Sequence, residues 1–205
     1  MTTLASVCWL FTACSPIQNA VSNQYKLESF STKKATYPHT PRTILVSQPD
    51  AIAGYQTEQM LYINKPFELN NFVHSAWISS PANMLYPLIT QSLQNSHYFY
   101  AVASGPDADK VDYRVDTQLI QLQQNFLTKP SRVELVANVV LTHVADNRIV
   151  ASRIISEHVT CLEDTPYGGV IAANKATHAF TAKLSDFVIR KINRDSPVKK
   201  QLTAH

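Results

Sequence analysis

A chain of 205 residues, 45% hydrophobic and 16% charged, holds enough apolar material for one real core and is too apolar to be disordered. Its formal net charge of +3 is small, and the basic doublets Lys33-Lys34 and Lys199-Lys200 lie in polar flanks. That argues against a nucleic-acid groove, which wants a stripe of Lys and Arg interleaved with aromatics.

The first apolar segment, Leu4 to Ala13, falls short of the roughly 20 residues that a spanning helix needs. It reads Leu4-Ala5-Ser6-Val7-Cys8-Trp9-Leu10-Phe11, then the small residues Thr12-Ala13, then Cys14. That order fits the apolar region and cleavage site of a secretory signal, and resembles a bacterial lipoprotein signal. In such a signal the cysteine is acylated, with palmitate-type chains, and becomes the first mature residue. No Lys or Arg precedes Cys14, and Phe11 stands where such signals usually carry Leu. The competing reading is a buried N-terminal strand with a free cysteine. Under the signal reading, residues 1–13 are the signal peptide, 14–23 the lipidated Cys14 and a polar tether, 24–194 the folded domain and 195–205 a polar tail. One acyl chain binds a bilayer marginally, at about 0.8 kcal/mol per buried methylene, so a stable anchor needs more than one. Ser15, rather than Asp, after the cysteine points by the sorting habit of these lipoproteins to the outer membrane, facing the periplasm.

Residues 24–30 alternate polar and apolar and predict a strand. Residues 31–42, with Pro38 and Pro41, predict a loop. Residues 43–47 predict a short central strand, 49–54 a break, and 60–63 and 67–72 two further strands. Ser80-Pro81 is a helix start, with Ser at the N-cap and Pro at the first position; Leu85, Leu88, Ile89 and Leu93 follow at helical spacing. Pro87 predicts a kink, or a regular helix that begins only near Tyr86. Residues 98–103 predict a strand and Gly105-Pro106-Asp107 a turn. Residues 112–126 predict a long strand whose alternation changes phase at Leu119-Ile120, as a bulge would cause. Residues 132–144 place Val133, Leu135, Ala137, Val139 and Leu141 on one face. Asp146-Asn147 suggests a two-residue hairpin turn into 148–162. Residues 168–194 predict a helix with a stripe of Ala176, Phe180, Leu184, Phe187 and Val188. The order β-β-β-β-α-β-β-β-β-α predicts one α+β domain, a largely antiparallel sheet with two helices packed on it.

Catalytic signatures are missing from the sequence. It contains no GxSxG, no HExxH and no phosphate-binding loop, and it has four glycines in all. Gly168-Gly169 reads as a turn before the last helix. Cys8, Cys14 and Cys161 lack metal-ligand spacing, so neither metal nor cofactor is expected. His143 and His158 stand where they could meet across a hairpin, although two separate surface histidines is the simpler reading. Cys161 and His158 are three apart on a strand and point to opposite faces. Glu163-Asp164 reads as a solvated turn. These features argue against an enzyme.

Residues 54–93 carry more. Gly54-Tyr55, Met60-Leu61-Tyr62, Phe67 to Phe72, Trp77, Pro81 and Met84-Leu85 through Leu93 stand in an order that resembles the ABC-type transport auxiliary lipoproteins, the PqiC/YmbA-like family. Tyr25-Lys26-Leu27 and the last helix fit as well. The resemblance implies an outer-membrane-anchored accessory of a transport system built on an MCE-domain protein, with permease and ATPase on other chains and lipids or similar molecules as cargo. A homo-oligomer is a further candidate assembly. A stand-alone outer-membrane lipoprotein that scaffolds another envelope protein is the alternative. Trp77, Tyr55 and Tyr62 are candidates for a partner surface. For Trp77 the competing role, a core residue under the first helix, is the one expected.

Overall fold

The structure is a computed structural model describing residues 23–105 and 110–195. The signal segment, Cys14, the tether to residue 22, Pro106, Asp107 and residues 196–205 lie outside the described residues, whereas Asp195, expected to open the polar tail, is the last residue of the final helix. In chain order the elements are β1 (Asn23–Tyr25), β2 (Thr43–Val46), β3 (Asp50–Ala51), β4 (Gln59–Lys65), β5 (Glu68–Trp77), α1 (Pro81–Asn95), β6 (Ala101–Ser104), β7 (Tyr113–Asn125), β8 (Arg132–His143), β9 (Arg148–Thr160) and α2 (Pro166–Asp195). This is the expected α+β domain with one added element, the two-residue β3 inside the predicted break.

Strand β7 is the spine. On one side β8 pairs with it antiparallel, and β9 with β8. Along its other edge lie β2, β3 and β4 in succession, all parallel to it. β5 folds back antiparallel on β4. The long ladders are therefore antiparallel. The short parallel ladders, including β1 on β5 and β6 on β2, are not visible in the pattern, because alternation carries no information about partner direction.

Burial follows the predicted periods. Val133, Leu135, Ala137, Val139 and Leu141 are all at most 3% exposed, and so is the α2 stripe Ala176, Phe180, Leu184, Phe187 and Val188. The phase change in β7 is a real irregularity, with the register shifting between Leu119 and Gln121. Both helices cover the same face of the sheet. They approach closely through small side chains, with Ser92 Oγ 2.9 Å from Ser185 Oγ.

Five local expectations are corrected. Predicted strand 24–30 stops at Tyr25, because the chain then crosses onto the helices. The amides of Glu28 and Ser29 donate to Asn174 Oδ1, that of Ser31 to Thr181 Oγ1, and that of Leu27 to Met84 Sδ. Helix α1 runs through Pro87 from Pro81 to Asn95. Asn83, whose carbonyl loses its donor, and Pro87 are both exposed, so the gap faces water. Helix α2 begins two residues early at Thr165-Pro166, the same signature as Ser80-Pro81, and Gly168 N donates to Thr165 Oγ1 at 3.0 Å. The glycine pair thus lies in the first turn of the helix. β5 extends to Trp77, and the β8–β9 connection is four residues rather than two, since His143 pairs with Arg148.

Candidate functional site

Three connections meet at one pole of the sheet. Phe126 N donates to Ile63 O at 2.9 Å, joining the end of β7 to the β4–β5 hairpin. Cys161 N donates to Ser131 O at 2.8 Å, and Ser131 N to Asp164 Oδ1 at 2.7 Å, joining the β7–β8 loop to the β9–α2 connection. Asp164 is therefore engaged in tying two loops together, where the sequence suggested only a solvated turn.

Exposed apolar side chains concentrate on these segments. Of the exposed large hydrophobics among the described residues, Phe67, Leu69, Leu127 and Leu162 belong here. Single exposed residues are ordinary, but a concentration at one end marks an interaction surface. The hairpin tip is its most exposed point. Lys65 pairs with Glu68, so Pro66 and Phe67 make the two-residue turn. Phe67 has φ of 66°, and its side chain is wholly exposed. Behind the tip Tyr62, Phe72 and Phe126 form a half-buried cluster, with Tyr62 and Phe72 centroids 4.5 Å apart and Tyr62 and Phe126 centroids 5.8 Å apart, edge to face.

The sequence-predicted residues divide around this pole. Tyr62 sits in the aromatic cluster. Tyr55 is half-buried, and its hydroxyl donates to Gln123 Oε1 at 2.6 Å; burial pushes its pKa up. Trp77 is 4% exposed and lies behind the cluster with Met60, Leu122 and Val133. The apolar cavity they line measures about 10 Å³, room for at most one water. Cys14 falls outside the described residues. His143 pairs with Arg148 and His158 with Glu134, at opposite ends of the hairpin. Cys161 is a buried thiol, which burial pushes up in pKa.

A polar network supports the pole. Glu134 on β8 is buried. Its carboxylate accepts from Gln121 Nε2 at 2.7 Å, Gln123 Nε2 at 3.3 Å, Asn125 Nδ2 at 2.9 Å and Arg132 Nε at 2.8 Å. Burial alone would raise its pKa, but the donors from Asn125, Arg132 and Gln123 hold it below its ordinary value. A carboxylate so held is a weak base and stays anionic at neutral pH, so it anchors strands rather than moving protons. This network was not among the sequence-based expectations. Its signal was present in Gln121, Gln123 and Asn125, which alternate along one strand opposite a lone Glu. On the other side of β7, Gln124 Nε2 donates to Ser131 Oγ at 2.9 Å and Thr165 O at 3.3 Å, fastening β7 under the start of α2.

The opposite pole is closed by ion pairs. Asp112 accepts from Arg42 and from Thr43 N, clamping β2 to β7. Tyr113 Oη donates to Asp195 at 3.0 Å, where Arg148 also donates, fixing the end of α2. Burial and the Asp195 contact push the Tyr113 pKa up to about 12. Among the described residues no three side chains cluster as metal ligands, and no helix is long and apolar enough to cross a membrane.

Comparison with known proteins gives the relationship. A family model described as ABC-type transport auxiliary lipoprotein component matches residues 25–185, from β1 into α2. Protein XCC0632 from Xanthomonas campestris superimposes with a TM-score of 0.80 at 19% identity, over 86% of this chain and 100% of that one. An uncharacterized protein gives 0.66 at 13% identity, over 82% of this chain and 99% of that one. The hypothetical protein CT253 from Chlamydia trachomatis gives 0.51 at 7%, over 73% and 98%. At these identities the likeness is one of fold. No curated protein matches the chain.

Proposed function

Because this chain belongs to the ABC-type transport auxiliary lipoprotein components, with the family match spanning residues 25–185, we propose that it is the lipid-anchored docking subunit of an envelope transporter. Its Cys14 carries the acyl anchor and holds it at the outer membrane, facing the periplasm. Its partner is an MCE-domain protein that forms the conduit, with permease and ATPase on separate chains and lipids as the cargo class. The role is structural, without catalysis. The family match, which runs from β1 into α2, is the observation that carries this reading. The aromatic cluster at the pole supports it by offering a recognition surface. Of the three residues considered as partner contacts, Tyr62 belongs to that surface, and Trp77 and Tyr55 brace it from behind.

The test is purification from membranes with the anchor intact. Mass spectrometry is expected to find acyl chains on Cys14, and the protein to fractionate with outer membrane. The MCE-domain protein and its permease and ATPase are expected to co-purify. Cys14→Ala should leave the protein soluble or unprocessed. An unmodified Cys14 in the mature protein overturns the anchor. An acylated protein that brings down a different outer-membrane protein, and no transport component, overturns the docking role in favour of a stand-alone scaffold.

A further inference from the structure

We infer that the β4–β5 hairpin is a second membrane contact: Phe67 enters the same lipid leaflet that holds the acylated Cys14. The inference rests on the anchor reading of Cys14 and adds to it an orientation for the domain. Three observations converge on it. The first is Phe67 itself. Its φ of 66° is a conformation that Gly or Asn adopts with less strain than Phe, and its ring is wholly exposed. The fold gains no packing from an aromatic there, so the ring has to be explained by something outside the domain. The second is the surroundings. Leu69, Leu127 and Leu162 are exposed on the same pole. Lys65, beside the tip, is also exposed, with its ammonium 3.6 Å from Glu68. An apolar tip with a cation just behind it suits a lipid surface, where the long side chain reaches phosphate while the ring enters the acyl region.

The third observation is the length and direction of the chain. β1 runs parallel to β5, with Asn23 opposite Ser75 and Tyr25 opposite Trp77. Asn23 is therefore the end of β1 nearer the hairpin tip. Ser75 lies seven residues from Glu68 along β5, about 23 Å at ~3.3 Å per residue. The nine steps from Cys14 to Asn23 can span about 30 Å. The tether is thus long enough for Cys14 to lie at the level of the tip. One inserted aromatic binds weakly alone, but a tethered one works at the high local concentration its anchor imposes. The outcome is a domain standing on two points, with its long axis set relative to the bilayer.

The test uses the full acylated protein in vesicles of phosphatidylethanolamine and phosphatidylglycerol, after mass spectrometry has established the state of Cys14. In Phe67→Trp, the introduced indole is expected to be quenched by phospholipids brominated on their acyl chains and shielded from iodide. The buried Trp77 serves as the internal background. Amide exchange over residues 64–69 is expected to slow on vesicles, and Phe67→Asn is expected to abolish that slowing while leaving or raising thermal stability. An acylated protein whose introduced indole stays open to iodide and untouched by brominated lipid overturns the contact while leaving the anchor standing. Shielding from iodide that grows with protein concentration in the absence of vesicles overturns it in favour of a second copy. An unacylated Cys14 removes both readings, and the mass spectrum shows which has failed.

Discussion

Replacing glycine by alanine inside a helix normally stabilises a protein by about 1 kcal/mol, because glycine has more backbone freedom to lose. In the first turn of α2 the sign should reverse. A Cβ on Gly169 would overlap the side-chain Oε1 of Gln124. That carboxamide has little room to swing, since Gln124 is 3% exposed and its Nε2 donates to Ser131 and Thr165. Overpacking costs ~1–3 kcal/mol, and each hydrogen bond lost adds ~1 kcal/mol. After the helix gain is set against this, Gly169→Ala should be destabilised by ~1–3 kcal/mol. A Cβ on Gly168 would overlap the backbone carbonyl oxygen of Glu163. No rotamer change relieves that clash, so Gly168→Ala should cost more than ~3 kcal/mol. Urea unfolding followed by circular dichroism measures both. Trimming the obstacle supplies the control: in Gln124→Ala/Gly169→Ala the loss should fall short of the sum of the singles by ~1 kcal/mol or more. Gly168→Ala should show no such rescue. A Gly169→Ala protein as stable as wild type, or more so, refutes the close-approach argument, because the helix-propensity gain would then stand unopposed.

Trp77→Ala should lose ~3–5 kcal/mol, since Trp77 is 4% exposed and lines a small cavity with Gly169 and Ala173 of α2; a variant that melts like wild type yet fails to assemble would move Trp77 to an interface. Glu134 makes stability depend on pH. Its carboxyl lies below its ordinary value of 4.5 in the fold, so its contribution is complete above the unfolded pKa and is lost as pH falls below about 4.5 toward the folded value. Glu134→Gln, which sets an amide NH₂ among the donors, should cost ~2–3 kcal/mol at neutral pH. That gap to wild type should narrow as the pH is lowered, and a gap independent of pH between 7 and 3 would contradict the assignment.

Local pattern alone determined the class of this fold. Where one face of an element is buried, the side chains must repeat at 2.0 or 3.6 residues, and so the β7–β8–β9 meander, the Ile120 irregularity and the α2 stripe could be read directly. The acylation proposed at Cys14 is likewise argued from sequence, since it depends on the order of a few adjacent residues. Partners far apart in the chain were decided only by the tertiary structure. Residues 26–30 alternate like a strand, yet the amides of Glu28 and Ser29 bond to Asn174, 146 and 145 residues away. Pro87 is tolerated because the packing of α1 turns the position toward water, which spacing could not reveal. Glu134 looks like an ordinary charge until the register places Gln123 opposite it. The pole that carries Phe67 exists because three connections from distant parts of the chain end together. Each connection is short and unremarkable in sequence, because an alternating pattern specifies which face a residue takes and leaves open which strand lies beside it.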